Sequence, residues 1–134
     1  MMYLLDTNII SYLLKGVDNV KQKIQSIDPD SISTSVITVL EIESGLLYPN
    51  VKTDTKLKWF ELKESIHILD FDYDDAIVAS HIRAKLKATG TSIGAYDLLI
   101  GSQAIARNLT IVTNNIKEFH RINNLKIENW YLEK

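Results

Sequence analysis

Residues 3–16, Tyr3-Leu4-Leu5-Asp6-Thr7-Asn8-Ile9-Ile10-Ser11-Tyr12-Leu13-Leu14-Lys15-Gly16, change their hydrophobic period within one short stretch. Tyr3-Leu4-Leu5 is a brief apolar run of buried-strand length, closed by Asp6. From Thr7 onward Ile9, Ile10, Leu13 and Leu14 fall on one face of a helix reaching residue 15, and Gly16 stops it. A strand that runs straight into a helix is the opening of a crossover unit, because parallel strands cannot be joined by a tight turn.

The alternation continues outward from that stretch. A second helix is expected from Val17 to Ile27, and a short strand over Ser31 to Thr34. A mostly apolar helix follows from Ser35 to Tyr48, then an amphipathic one over 53–65 carrying Leu57, Phe60 and Leu62. His67 to Leu69 reads as a strand. Acid-rich Asp70 to Asp75 leads into a helix ending at Ala88, and residues 95–108 form another. Thr110 to Thr113 and Ile127 to Trp130 complete the strands. Both prolines, Pro29 and Pro49, fall in turns. Strands alternating with helices predict an α/β fold, a mostly parallel sheet covered on both faces. In such sheets ligands bind beyond the carboxyl ends of the strands, where strand order reverses, and Asp6 lies at such an end.

The chain has 134 residues, 46% of them apolar and 24% charged, which suits one globular domain spanning 1–134 and excludes a disordered or fibrous chain. No cysteine is present, so disulfides, thiolate zinc sites and a cysteine nucleophile are excluded. The apolar part of the N-terminus is too short for a secretory leader, and no stretch approaches the eighteen or so apolar residues of a membrane span. A cytoplasmic location and no membrane partner are therefore expected. A net charge of −2 gives no global attraction to nucleic acid, so any RNA binding must be local and assisted by metal.

Three acids stand in apolar company: Asp6 after Tyr3-Leu4-Leu5, Glu41 within Val39-Leu40-Glu41-Ile42, and Asp97 within Tyr96-Asp97-Leu98-Leu99-Ile100. An ionised carboxylate withdrawn from water without a partner costs several kcal/mol, on the order of the desolvation of one ion. No Lys or Arg lies within four residues of any of them. Each also has an ordinary reading: Asp6 as a helix N-cap, Glu41 as a solvated helix residue, Asp97 as a first-turn acid favoured by the helix dipole. Against three unrelated acids stands a shared pattern. Glu41 has Ile37 and Gly45, and Asp97 has Ile93 and Gly101, four residues to either side on one helix face. Glycine there is expected to let a backbone or ligand approach the carboxylate. Oxygen-only donors select a hard cation, Mg²⁺ or Mn²⁺, which suits phosphodiester hydrolysis.

Four segments then occur in order: Leu5-Asp6-Thr7-Asn8-Ile9, Thr38-Val39-Leu40-Glu41-Ile42-Glu43-Ser44-Gly45, Ile93-Gly94-Ala95-Tyr96-Asp97-Leu98-Leu99-Ile100 and Thr113-Asn114-Asn115-Ile116-Lys117-Glu118-Phe119. Together they resemble the motifs of PIN-domain ribonucleases, in particular VapC-type toxins of bacterial toxin–antitoxin modules. The resemblance implies a three-layer α/β/α sandwich around a short, mostly parallel sheet of four to five strands. It also implies a Mg²⁺-dependent endoribonuclease. By position it makes Asp6, Glu41 and Asp97 the catalytic, metal-binding acids. Asn8, Thr113, Asn114 and Asn115 become supporting or phosphate-holding residues. Many relatives carry a fourth acid near Asn115, where this chain has an amide, and Glu118 is the candidate to replace it. The resemblance further implies a tRNA substrate, initiator tRNA among the options, an antitoxin partner seated between the first helices and residues 53–65, and a homodimer. A housekeeping PIN nuclease of RNA maturation and a catalytically silent RNA- or protein-binding PIN domain are the competing readings; the intact acid trio speaks against the silent one.

Other features are read plainly. Asp70-Phe71-Asp72-Tyr73-Asp74-Asp75 lacks the glycine and closing glutamate of a calcium loop and is expected to start a helix. His67, His81 and His120 show no ligand spacing. Lys117 and Arg121 are either phosphate contacts or a solvated helix end, and Trp59 and Phe60 are expected in the core.

Overall fold

A computed structural model describes residues 1–132 of the chain. Five strands form one sheet in the order β3-β2-β1-β4-β5: β1 (Tyr3–Leu5), β2 (Ile32–Ser35), β3 (His67–Leu69), β4 (Thr110–Val112) and β5 (Ile127–Glu128). Every neighbouring pair is parallel. Leu5 stands opposite Thr34 on one side and Val112 on the other. The helices are α1 (Thr7–Leu14), α2 (Asp18–Gln25), α3 (Val36–Leu46), α4 (Thr53–Ser65), α5 (Tyr73–Ala88), α6 (Ala95–Ala106) and α7 (Ile116–Phe119). Because β2 and β4 flank β1 on opposite sides, strand order reverses there, and the crevice of a doubly wound sheet opens at the carboxyl ends of β1 and β4.

Alternation along the strands builds two apolar layers. Leu5, Ile32 and Val112 face a layer with Ile9, Ile10, Val20, Ile42, Trp59 and Leu62 from α1 to α4. Leu4 and Ile111 face the other layer with Leu86, Ile100, Ala104 and Phe119 from α5, α6 and α7. The expected α/β/α sandwich is thus formed. β2 is polar in sequence yet wholly buried: Ser33 and Thr34 donate their hydroxyl protons to the carbonyls of Tyr3 and Leu5, at 2.7 and 2.9 Å, so the buried groups are satisfied. Among the described residues no helix is long and apolar enough to cross a membrane.

Several local expectations are corrected. α7 is an addition to the expected elements, since its single turn is too short to show a period in the sequence. β5 ends at Glu128 rather than Trp130. Trp59 is buried, but Phe60 and Leu57 are exposed, because α4 packs a single narrow edge against the core. The two glycines that follow an acid by four residues differ: Gly45 borders open space with no neighbouring backbone against it, and Gly101 accommodates packed side chains rather than an approach to Asp97. A Cβ at Gly45 would meet nothing within 4 Å, whereas one at Gly101 would lie 2.6 Å from Ile122 Cδ1 and 3.3 Å from the Phe119 ring. Gly101 makes room for α7 and for Ile122 just beyond it.

The acid run before α5 behaves as a helix start. Asp72 and Asp75 form a reciprocal capping box, each side chain accepting from the other's backbone N–H. Asp75 is then buried against Arg107, whose Nη2 donates to Asp75 Oδ2 at 2.9 Å. The guanidinium and the capping N–H more than offset burial and hold the Asp75 carboxyl below its usual range.

Candidate active site

The parallel register delivers Asp6 and Thr113 side by side from adjacent strands. Asp6 caps α1 through Oδ1, which accepts from Thr7 N at 2.8 Å. Its second oxygen, Oδ2, accepts from Thr113 Oγ1 at 2.8 Å and from Asn8 Nδ2 at 3.2 Å. The two oxygens of the carboxylate are therefore held by different partners, Oδ1 by the start of α1 and Oδ2 by the Thr113 and Asn8 side chains. Asp6 and Thr113 are buried. Burial pushes the Asp6 carboxyl above its ordinary value; the Thr113 and Thr7 hydrogen bonds pull it down, and the Glu41 charge pushes it up again.

Glu41 reaches the same place from α3, where its Oε1 accepts from Thr7 Oγ1 at 2.7 Å. Asp97 lies in the first turn of α6, and its Oδ2 accepts from Asn115 Nδ2 at 3.2 Å. The same amide donates to Glu118 Oε2 at 3.2 Å, so Asn115 ties the two carboxylates together. Partial burial, the facing Glu118 and the charges of Asp6 and Glu41 raise Asp97 to about 7. Glu118 moves the other way, lowered by its hydrogen bonds with Asp97 and Asn115. Only Asp6 of the three is fully buried; Glu41 and Asp97 are half-buried despite their apolar neighbours in sequence.

Asp6, Thr7, Asn8, Ser11, Tyr12, Lys15, Glu41 and Asp97 line one cleft of roughly 430 Å³. Among the described residues none of the three acids is in an ion pair. A second cleft of similar size, between Ile82, Lys85, Leu86 and Arg121, is lined by no acid. The acids share the cleft without closing on a point: among the described residues no three acidic or imidazole groups are gathered tightly enough to hold an ion as the side chains stand. The donor chemistry suits a divalent cation nonetheless, since carboxylate, hydroxyl and amide oxygens face the cleft and no sulfur or imidazole does.

The supporting residues divide into two groups. Asn8, Thr113 and Asn115 hold carboxylates. Asn114 does not: its N–H donates to Asn8 Oδ1 at 3.1 Å, its Nδ2 donates to the Tyr12 hydroxyl at 3.0 Å, and its Oδ1 accepts from Asn129 Nδ2 at 3.0 Å. Lys117 and Arg121 are exposed and do not line the cleft, and Arg121 Nη1 donates to the Ser92 carbonyl at 2.9 Å. Sequence reading passes over Thr7 and Tyr12. Both follow Asp6 on the cleft side of α1, but their partners lie at least thirty residues away along the chain, where no local pattern points.

The PIN domain model matches residues 3–125. Ribonuclease VapC2 of Rickettsia felis is 38% identical over 132 residues, covering 97% of this chain and 98% of that protein. The tRNA(fMet)-specific endonuclease VapC of Salmonella typhimurium is 32% identical over 129 residues, covering 96% and 97%. Among solved structures, VapBC2 from Rickettsia felis bound to a DNA fragment from its promoter aligns with a TM-score of 0.89 at 37% identity, covering 98% of this chain and 100% of the aligned one. With Asp6 just after β1, Glu41 on α3 and Asp97 on α6 lining one cleft, with Thr113 and Asn115 after β4 holding two of these acids, and with likeness running over nearly the whole length, the chain belongs to the PIN-domain family, among its VapC ribonucleases.

Proposed function

We propose that this chain, as a single domain over residues 1–134, is the toxin of a toxin–antitoxin pair: an endoribonuclease that hydrolyses phosphodiester bonds in tRNA, initiator tRNA foremost, with Mg²⁺ held by Asp6, Asp97 and Glu41. Mn²⁺ is the expected substitute. The observation that carries this is the meeting of three acids from distant parts of the chain in one cleft at the sheet's reversal point, with no cationic side chain paired to any of them among the described residues. The substrate class draws support from the tRNA(fMet)-specific name of the Salmonella relative.

When bound, the cation neutralises the phosphate and favours ionisation of the attacking water. The chain's own residues do the positioning. Thr113 and Asn8 hold Asp6 Oδ2. Asn115 holds Asp97 against Glu118. Glu41, oriented by the Thr7 hydroxyl, is the acceptor for the proton of the attacking water. Asp97 must shed its proton for the site to load, and with its value raised to about 7 loading strengthens as pH rises through neutrality.

An antitoxin is the expected partner, in keeping with the VapBC complexes among the solved relatives. Its seat is the groove between Leu13, Leu14, Ile24, Lys58 and Leu62. Action in the cytoplasm and self-association as a homodimer complete the reading. The test is cleavage of tRNA by the purified chain in Mg²⁺ and in EDTA, beside Asp6→Asn and Asp97→Asn. Each substitution is expected to lower the rate by about 10²–10³-fold, the range for losing one fixed electrostatic group. Undiminished Mg²⁺-dependent cleavage by either variant would remove the assignment. Growth arrest on expression, relieved by a small protein encoded alongside, is the expected cellular counterpart.

A further inference from the structure

The cleft is asymmetric in charge. Its acids sit at the N-terminal end of α1, and the opposite end carries Lys15, the one cationic side chain among the described residues that line it. Thr7, Ser11 and Lys15 are spaced i, i+4, i+8, and Asn8 and Tyr12 are spaced i, i+4, so one face of α1 forms a continuous polar wall. Lys15, the C-cap of α1, lies two turns beyond Thr7, about 12 Å along the axis, and lines the same cleft as the acids. Its ammonium is in no ion pair among the described residues.

Tyr12 is fixed more firmly than a cleft-edge tyrosine needs to be. Its ring stacks on Tyr131 at a centroid separation of 4.2 Å and an interplanar angle of 18°. Its hydroxyl accepts from Asn114 Nδ2 at 3.0 Å, which leaves the hydroxyl proton free to be donated. Asn114 is braced in turn by Asn129, and Asn129 Oδ1 accepts from Tyr131 N at 2.9 Å. The Tyr12 hydroxyl proton, the Ser11 hydroxyl and a Lys15 ammonium in no ion pair among the described residues line one side of the cleft and together favour an anionic oxygen group.

We propose that this α1 wall seats the RNA strand, with Lys15, the Tyr12 hydroxyl and Ser11 gripping a backbone phosphate next to the one that is cut. The proposal rests on the nuclease reading and names how its substrate is held. Lys15, Tyr12 and Ser11 bind substrate away from the reacting atoms.

The test is steady-state cleavage of total bacterial tRNA in Mg²⁺ by the wild-type chain, Lys15→Gln, Lys15→Arg and Tyr12→Phe, at several KCl concentrations. Lys15→Gln is expected to raise KM about five- to tenfold with kcat unchanged, the scale of one charged contact. It should also reduce the steepness of log(kcat/KM) against log[KCl] by about 0.7 to 1, the loss of one neutralised phosphate. Lys15→Arg should restore both, and Tyr12→Phe should raise KM about two- to threefold, the scale of one neutral hydrogen bond. An unchanged KM and salt slope in Lys15→Gln, or a fall in kcat alone, overturns the seat while leaving the nuclease reading in place. Failure of the wild-type chain to cut tRNA with Mg²⁺ overturns the nuclease reading itself, and the seat with it.

Discussion

A buried carboxylate at the end of a central strand is tolerable only if its surroundings compensate for lost hydration. For Asp6 three donors do part of this: Thr7 N, Thr113 Oγ1 and Asn8 Nδ2. They do not cancel burial, and Glu41 adds repulsion. Asp97 carries the larger consequence. An acid whose folded value is raised from 3.8 to about 7 binds a proton more tightly folded than unfolded. Its contribution to stability is therefore fully present below about 4 and is lost as pH rises through about 7. In EDTA, the wild-type chain is expected to lose stability relative to Asp97→Asn across that window, as followed by urea denaturation at stepped pH. A pH-independent difference between the two would show that Asp97 is not perturbed. Glu43, lowered by hydrogen bonds from Trp59 and Lys63, acts in the opposite direction at acid pH and is common to both proteins, so it drops out of the comparison.

At the scale of elements, α3 and α6 each hold a glycine four residues after an acid, yet the two glycines have opposite reasons. Gly45 faces open space, so a methyl group there meets nothing and only the flexibility of the helix is lost. Gly101 lies under Phe119 and Ile122, where an added Cβ would overlap Ile122 Cδ1 at 2.6 Å. Gly45→Ala is accordingly expected to stabilise the chain by about 0.5–1 kcal/mol. Gly101→Ala gains the same helix preference but must displace packed side chains, for a net loss of about 1 kcal/mol. Thermal or urea melts of the two variants check the pair, and equal signs would contradict this account of α7 packing. α7 matters because it begins directly after Asn115, which joins Asp97 to Glu118.

The whole molecule couples folding to charge. Two apolar layers clamp the sheet, and the reversal of strand order gathers Asp6, Glu41 and Asp97 where their like charges oppose one another. A cation that binds only the folded chain adds RT ln(1 + [ion]/Kd), about 2.7 kcal/mol at a hundredfold excess over Kd. For a chain of this size that is several degrees of melting temperature. Mg²⁺ or Mn²⁺ is expected to raise the Tm of the wild-type chain, more at pH 8 than at pH 6 because Asp97 must lose its proton, and to leave Asp97→Asn little changed. A Tm indifferent to both ions would remove the metal from the cleft.

Much of this is readable from the chain alone, for identifiable reasons. The change from a strand period to a helix period at Asp6 is local, so the alternation of strands and helices, and with it the α/β class, is written in short stretches of side chains. Asp6, Glu41 and Asp97 can be singled out because an acid among apolar neighbours is conspicuous wherever it lies. The part that tertiary structure alone decided depends on register and crossover. Whether glycine serves an acid or a neighbouring helix, which of the three acids is truly buried, and that Asn114 braces Tyr12 rather than a carboxylate are all set by contacts between residues tens of positions apart. Burial is a property of the assembled layers. No period within a segment carries it, because the atoms that exclude water from a side chain come from elsewhere in the fold.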